Sequence, residues 1–327
     1  MHITSQFSRS RQKHLYIAIH LQVMLSKQVL EDLYVDKKMS SLQIADKFGM
    51  KHSRTIRKWM ERYNIPRRTL SESRTIYPKT SFGGDLKTKA YLLGLRAGDF
   101  HAKRIHKIIR VQTTTTHPAQ IELMKRSFGQ FSHVGIYEFF NKKFNIKQWF
   151  IYCDMDESFA FLLEKPKEIP VWTINTDELF FCFLAGYADS ESCWKILRSH
   201  KNAMRFVFQI STQDEKILKQ IVVKLSQMGY VANFYLDTKA GITRQGKKSN
   251  KDMFRIMVYR TENIMNLVKI ILPLSNHQEK IDKMGMIFES KNKKWIEVKD
   301  DILSLRNRIK NSRIQSSGLM YQSKSQN

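Results

Sequence analysis

Two stretches of this chain repeat one pattern, and that repetition constrains the fold more than any other feature. "KAYLLGLRAGDFHAKR" begins at Lys89 and "LFFCFLAGYADSESCWK" at Leu179. Each is an apolar helical run that ends in small and acidic residues. In the first, Gly94 and Gly98 lie four residues apart and Asp99 follows; in the second, Gly186 and Ser190 lie four apart and Glu191 follows. Residues four apart share a helix face. Each run therefore presents a flat stripe, and two such helices can pack closer than the usual spacing of about 8–10 Å. Their terminal carboxylates then meet. Like charges at close range repel and the helix C-termini add partial negative charge, so the pair calls for a divalent cation. Magnesium is the expected hard cation, with manganese as its substitute. One copy alone would read as a glycine-containing core helix; two copies with matched spacing do not.

The segments after each copy repeat as well. "IIRVQTTTTHPAQIELMKRSFGQFSHVGIY" compares with "RFVFQISTQDEKILKQIVVKLSQMGYVANFY", and "QWFIYCDMDESFAFLL" with "MFRIMVYRTENIMNLV". Each half reads as helix, strand pair, helix, strand pair, helix. A sheet of this kind buries one face and leaves the other polar. Arg110, Gln112 and Thr114 in one half, and Arg205, Gln209 and Ser211 in the other, alternate along strands and point together as candidate base contacts. Residues 244–252, "RQGKKSNKD", form a basic hairpin tip in which Arg244, Lys247, Lys248 and Lys251 suit phosphate.

Ahead of the repeats, residues 26–75 read as three short helices. Ser26 caps one carrying Val29, Leu30 and Leu33; Ser40 or Ser41 caps a second carrying Leu42, Ile44, Ala45 and Phe48. Gly49 makes the turn, and Ser53 caps a third helix with Ile56, Trp59 and Met60 inward and Arg54, Arg57, Lys58 and Arg62 outward. "SSLQIADKFGMKHSRTIRKWMERYNIPRR" resembles the helix-turn-helix of microbial DNA-binding proteins, which implies that the third helix enters a major groove. Residues 1–25 read as a loosely ordered extension.

Charge names the partner. Lys and Arg total 56 against 30 Asp and Glu, a formal +26, and 42% hydrophobic residues in 327 suffice for more than one core. Double-stranded DNA is the expected ligand. Cys153, Cys182 and Cys193 form no CxxC pair, which disfavours secretion and a structural zinc site and fits the cytoplasm. The longest apolar stretch near the start, Leu15 to Leu25, is broken by His20 and Gln22, so no membrane role is expected.

The two helical segments resemble the motifs that name the LAGLIDADG family: "LLGLRAGDF" from Leu92 and, more closely, "LAGYADSES" from Leu184. The resemblance covers roughly residues 85 to 290. It implies an α+β fold of tandem αββαββα halves, 85–172 and 173–310, forming a saddle-shaped sheet, with the small all-α helix-turn-helix domain in front and a polar tail at 311–327. It also implies a metal-dependent endonuclease acting as a monomer on a long non-palindromic site, encoded in an intron, an intein or a free gene. The metal-ligating acids of the family fall on Asp99 and Glu191. A basic residue from each half is expected nearby: Lys280 in the second, Lys165 or Lys167 in the first. Arg96 and Phe100 depart from the family's usual residues, and Asp189, whose counterpart is Ala97, reads as a capping or packing residue rather than a ligand. Two other functions fit the same resemblance: an inactive regulator that only binds DNA, and a maturase whose partner is intron RNA.

Overall fold

The computed structural model describes residues 25–50, 52–68, 77–142, 145–244 and 247–317, with backbone only at 201, 244, 247–248 and 314–317. The chain divides into two compact units, Met1–Ile76 and Tyr77–Asn327.

The first unit is built on α1 (Lys27–Glu31, continued by a π turn to Asp36), α2 (Ser41–Lys47) and α3 (Ser53–Arg62). Ser26 accepts from Val29 N, and Ser40 makes a reciprocal capping box with Gln43 at the start of α2. Gly49 turns the chain at φ +65°, where a side chain would be strained. Leu25, Leu30, Leu33, Ile44, Ala45, Ile56 and Met60 close a core of their own. The core thus includes Leu25, and the rest of the expected extension, 1–24, lies outside the described residues. Three expectations need correction. His52, not Ser53, is the N-cap of α3, and Ser53 accepts from Arg57 Nη2 at 3.4 Å instead. Leu42 is not part of the core: it is 57% exposed. Trp59 is only partly buried and carries the Arg62 guanidinium on its face at 4.7 Å.

The second unit repeats one design. Its first half runs α4 (Leu86–Ala97), β1 (His101–Ile105), β2 (Ile108–Thr115), α5 (Pro118–Phe128), β3 (Val134–Asn141) and β4 (Ile146–Met155). After a one-turn α6 (Val171–Ile174), the second half runs α7 (Asp177–Glu191), β5 (Ser192–Arg198), β6 (Met204–Thr212), α8 (Glu215–Gln227), β7 (Ala232–Thr238), the small hairpin β8 (Thr243–Arg244) and β9 (Lys247–Lys248), and β10 (Met253–Val258). The four-stranded sheets are antiparallel with the same order, β1-β2-β4-β3 and β5-β6-β10-β7. Helices α9 (Thr261–Ile271), α10 (Gln278–Glu289) and α11 (Trp295–Ser317) follow. The expected last helix of the first half is a 3-10 segment, Glu157–Leu162, and α11 continues past residue 311, where a polar tail was expected.

Local chemistry sets these boundaries. Asp85 opens α4 by accepting from Thr88 N at 2.8 Å, Pro118 stands in the first turn of α5, and Asp177 and Glu178 complement the N-terminal dipole of α7. The stretch Ala90–Ala97 of α4 and the stretch Leu179–Asp189 of α7 are buried all round because they lie at the centre of the unit, with Leu95, Phe180, Phe183, Leu184 and Tyr187 in its core. Each sheet buries alternate residues against helices: Ile109 and Val111 with Ile151 and Cys153, then Phe206, Phe208 and Ile210 with Ile256 and Val258.

Candidate catalytic centre

The two motif helices meet backbone to backbone. A Cβ added to Gly94 would overlap the Phe183 carbonyl oxygen and stand 2.7 Å from Tyr187 N; one added to Gly186 would overlap the Tyr91 carbonyl and stand 3.0 Å from Leu95 N. Gly98 faces the Ser190 side chain, and its Cβ would meet Glu191 Cγ at 3.4 Å. The stripe read from sequence is therefore the contact surface, and it sets the end of α4, and Asp99 just beyond it, against the end of α7, where Glu191 is the last helical residue.

Electrostatics agrees with this placement of the acids. Burial, then the Asp99 charge, then the Asp214 charge push Glu191 up to about 7, with Lys280 and Lys165 opposing. Burial also raises Asp99, against the pull of Lys280, Lys165, His117 and His101. Mutual repulsion opposes ionising both acids at once. Such a pair lacks the positive charge it needs, and an oxygen-loving divalent cation fits that deficit.

Lys280 belongs to this centre. It is buried in the first turn of α10, and its Nζ donates to the carbonyl oxygens of Ala188 and Asp189 at the C-terminal end of α7. Burial lowers it to about 8 although Asp189, Asp99 and Glu191 all favour its charge. Asp189 fixes that placement. Its carboxylate accepts from Tyr91 Oη at 2.6 Å, Asn276 N at 2.7 Å, His277 N at 3.3 Å and Ser275 Oγ. Those donors tie α4, α7 and the start of α10 together, so Asp189 acts as a packing acid.

Of the two first-half lysines, Lys165 faces both acids and lies 3.7 Å from Asp214, whereas Lys167 is exposed and no interaction among the described residues ties it to the centre. Arg96 serves structure instead. Buried, it donates to the carbonyls of Leu162, Phe100 and Leu163 at 2.8, 3.0 and 3.3 Å. Sequence reading missed Asp214 and His117. Each is the N-cap of the helix after the second strand of its half; the Asp214 charge helps push Glu191 up, while His117 opposes the rise of Asp99. Aligning the repeats through "TTHP" and "TQDE" would have exposed them.

The open sheet faces hold the expected polar rows, part of them bonded to one another and Gln112 Oε1 left without a partner among the described residues. Arg110 pairs with Asp154 across β2 and β4, Gln112 lies opposite Tyr152, and Thr114 is exposed opposite Phe150. In the second half, Lys195 Nζ donates to Gln209 Oε1, Gln209 Nε2 to Ser211 Oγ, and Arg255 Nε to Ser211 Oγ, at 2.9, 2.9 and 3.2 Å. Arg205 is exposed and sits 5.2 Å from the Tyr259 ring centre. Lys251 is exposed beside the hairpin, while the side chains of Arg244, Lys247 and Lys248 lie outside the described residues. In the first unit, Arg54, Arg57, Lys58 and Arg62 all point outward from α3. Among the described residues no helix is long and apolar enough to cross a membrane.

Among solved structures, the chain is similar to the I-SmaMI LAGLIDADG homing endonuclease bound to cleaved DNA, at 11% identity over 72% of this chain and 98% of that one, with a TM-score of 0.39. It is similar to the homing endonuclease I-WcaI bound to its DNA recognition sequence, at 16% identity over 62% and 88%, TM-score 0.42. A third likeness is to I-DmoI in complex with DNA and Ca, at 15% identity over 59% and 93%, TM-score 0.38. No family model and no curated protein matches.

Proposed function

We propose that this chain is a LAGLIDADG-type site-specific DNA endonuclease that cuts both strands of a long, non-palindromic site as a monomer. One observation carries the reading: two glycine-faced helices from one chain deliver Asp99 and Glu191 to a common point beside a buried lysine. Asp99 and Glu191 would hold magnesium or manganese, sharing it with phosphate oxygens and water, as such ions usually are when few carboxylates are offered. When bound, the cation neutralises charge on the phosphodiester and acidifies water. Lys280, whose charge three surrounding carboxylates favour against burial, would stabilise phosphate charge, with Lys165 as its first-half partner. The open sheet faces, residues 244–251 and α3 would line the duplex, where the +26 charge draws it in.

Both acids in one chain remove the need for a dimer, and the halves present different side chains, so the reading requires asymmetric half-sites. The test is cleavage of a library of insertion-type target sequences with magnesium. Asp99→Asn and Glu191→Gln should each abolish double-strand cutting while retaining binding; full cutting by either variant would refute the assignment. A palindromic consensus bound by an obligate dimer would refute the single-chain mode.

A further inference from the structure

Each sheet carries one arginine on its open face whose inner edge is consumed by the protein. Arg110 on β2 donates from Nε and Nη2 to the two Asp154 oxygens, at 2.7 Å each, and its guanidinium carbon lies 4.3 Å from the Tyr152 ring centre. That ring lies across Gly135 of β3, where any Cβ would overlap it. Arg255 on β10 forms an ion pair through Nη2 with Asp237 Oδ1 at 2.7 Å and donates from Nε to Ser211 Oγ at 3.2 Å; Ser211 is itself held by Gln209. In both, Nη1 has no partner among the described residues, and the side chains keep 25% and 32% exposure.

An ordinary surface ion pair gains little and leaves long side chains mobile. Here two strands, a carboxylate and a second support fix each guanidinium, and the edge left free is a pair of parallel N–H donors. That fork matches the N7 and O6 acceptors of guanine in the major groove, whereas adenine sets its N6 donor against one of them. The acid also cancels most of the arginine's charge. A phosphate contact would not be built that way, because cancelling the charge discards the attraction that phosphate binding uses.

We infer that Arg110 and Arg255 each read one guanine, one in each half of the target, with Asp154 and Asp237 as positioning residues. This rests on the DNA-binding reading above. The experiment is selection of bound duplexes from a randomised library by the full-length protein, with base preference and salt dependence scored for each variant. The wild type should yield a consensus with one guanine position per half that depends on these side chains. Arg110→Ala should lose roughly tenfold preference at the first position and Arg255→Ala at the second, other positions being unchanged. Arg110→Lys, which keeps charge but not the fork, should lose the same preference at an unaltered salt slope. Asp154→Asn and Asp237→Asn should weaken the matching position alone. A consensus whose every position survives Arg110→Ala and Arg255→Ala, or a uniform affinity loss across all sequences, would overturn the guanine assignment and leave DNA binding standing. Failure of the wild type to enrich any duplex would overturn both.

Discussion

Replacing Gly94 with alanine tests the helix interface on which the centre depends. The added methyl would overlap the Phe183 carbonyl oxygen and sit 2.7 Å from Tyr187 N, where ordinary contact begins near 3.4 Å. Both obstacles are backbone inside a helix, so no side chain can swing away; relief requires the helices to part by roughly 1 Å along their contact. Parting thins the packing of Leu95, Phe183 and Tyr187, all buried there. Overpacking typically costs about 1–3 kcal/mol, and backbone obstacles put this case at roughly 3. Gly186→Ala meets the reciprocal obstacle, the Tyr91 carbonyl, and should cost about the same. Once one methyl has opened the interface the second fits more easily, so the double variant should lose about 4 kcal/mol rather than the sum of the singles. Denaturant unfolding followed by tryptophan fluorescence reads the right unit, since Trp149, Trp172, Trp194 and Trp295 lie there and only Trp59 does not. Gly285→Ala is the control: its Cβ would meet nothing within 4 Å, and alanine in that helix should stabilise by about 0.5–1 kcal/mol. If Gly94→Ala behaves like the control, or if the two costs add, the close-packed interface is not what holds the halves together.

Three further outcomes are expected. Asp189→Ala should cost about 3 kcal/mol and impair cleavage, because it strands Tyr91 Oη, Ser275 Oγ and two backbone N–H groups and removes a charge that supports Lys280, whereas Tyr91→Phe should cost about 1; equal effects measured by unfolding would contradict this. Glu191 has a folded pKa of about 7, above its ordinary 4.5, so its contribution to metal-free stability is fully present below pH 4.5 and lost as pH rises through 7. The stability difference between Glu191→Gln and wild type should therefore grow by at most about 3 kcal/mol over that window, and a difference that shrinks with pH refutes the shift. Deleting residues 1–75 should weaken DNA binding and flatten its salt dependence while metal-dependent cleavage persists at higher protein concentration; an unchanged slope would mean that Arg54, Arg57, Lys58 and Arg62 do not touch the duplex.

Much of this was legible because it is local. The Gly94–Gly98 and Gly186–Ser190 spacings are helical periodicity, and the position of each acid follows by counting along the chain. Capping at Ser26 and Ser40 is equally local. Elsewhere neighbours in space overrode the pattern: the 3-10 segment Glu157–Leu162 stands where the repeat suggested an α-helix, and its terminal carbonyl, with that of Leu163, is engaged by Arg96. The Arg110–Asp154 pair depends on the register of β2 with β4, and Arg255–Ser211 on that of β10 with β6; both span 44 residues, and no motif announces them. Asp214 and His117 enter the centre through the sheet and helix that come after each motif, so only a residue-level alignment of the two halves could have pointed to them.

The hydroxyl that Tyr91 extends to Asp189 has a consequence for when the centre exists at all. Tyr91 belongs to the first half, Asp189 to the second, and Lys280 hangs on the segment that Asp189 anchors. With only the first half folded Asp99 has no mate, and with only the second folded Glu191 has no mate and Asp189 lacks the Tyr91 donor. On the endonuclease reading proposed above, cutting competence is then all-or-none: partly unfolded chains would cling to DNA by their charge but hold no assembled pair of acids.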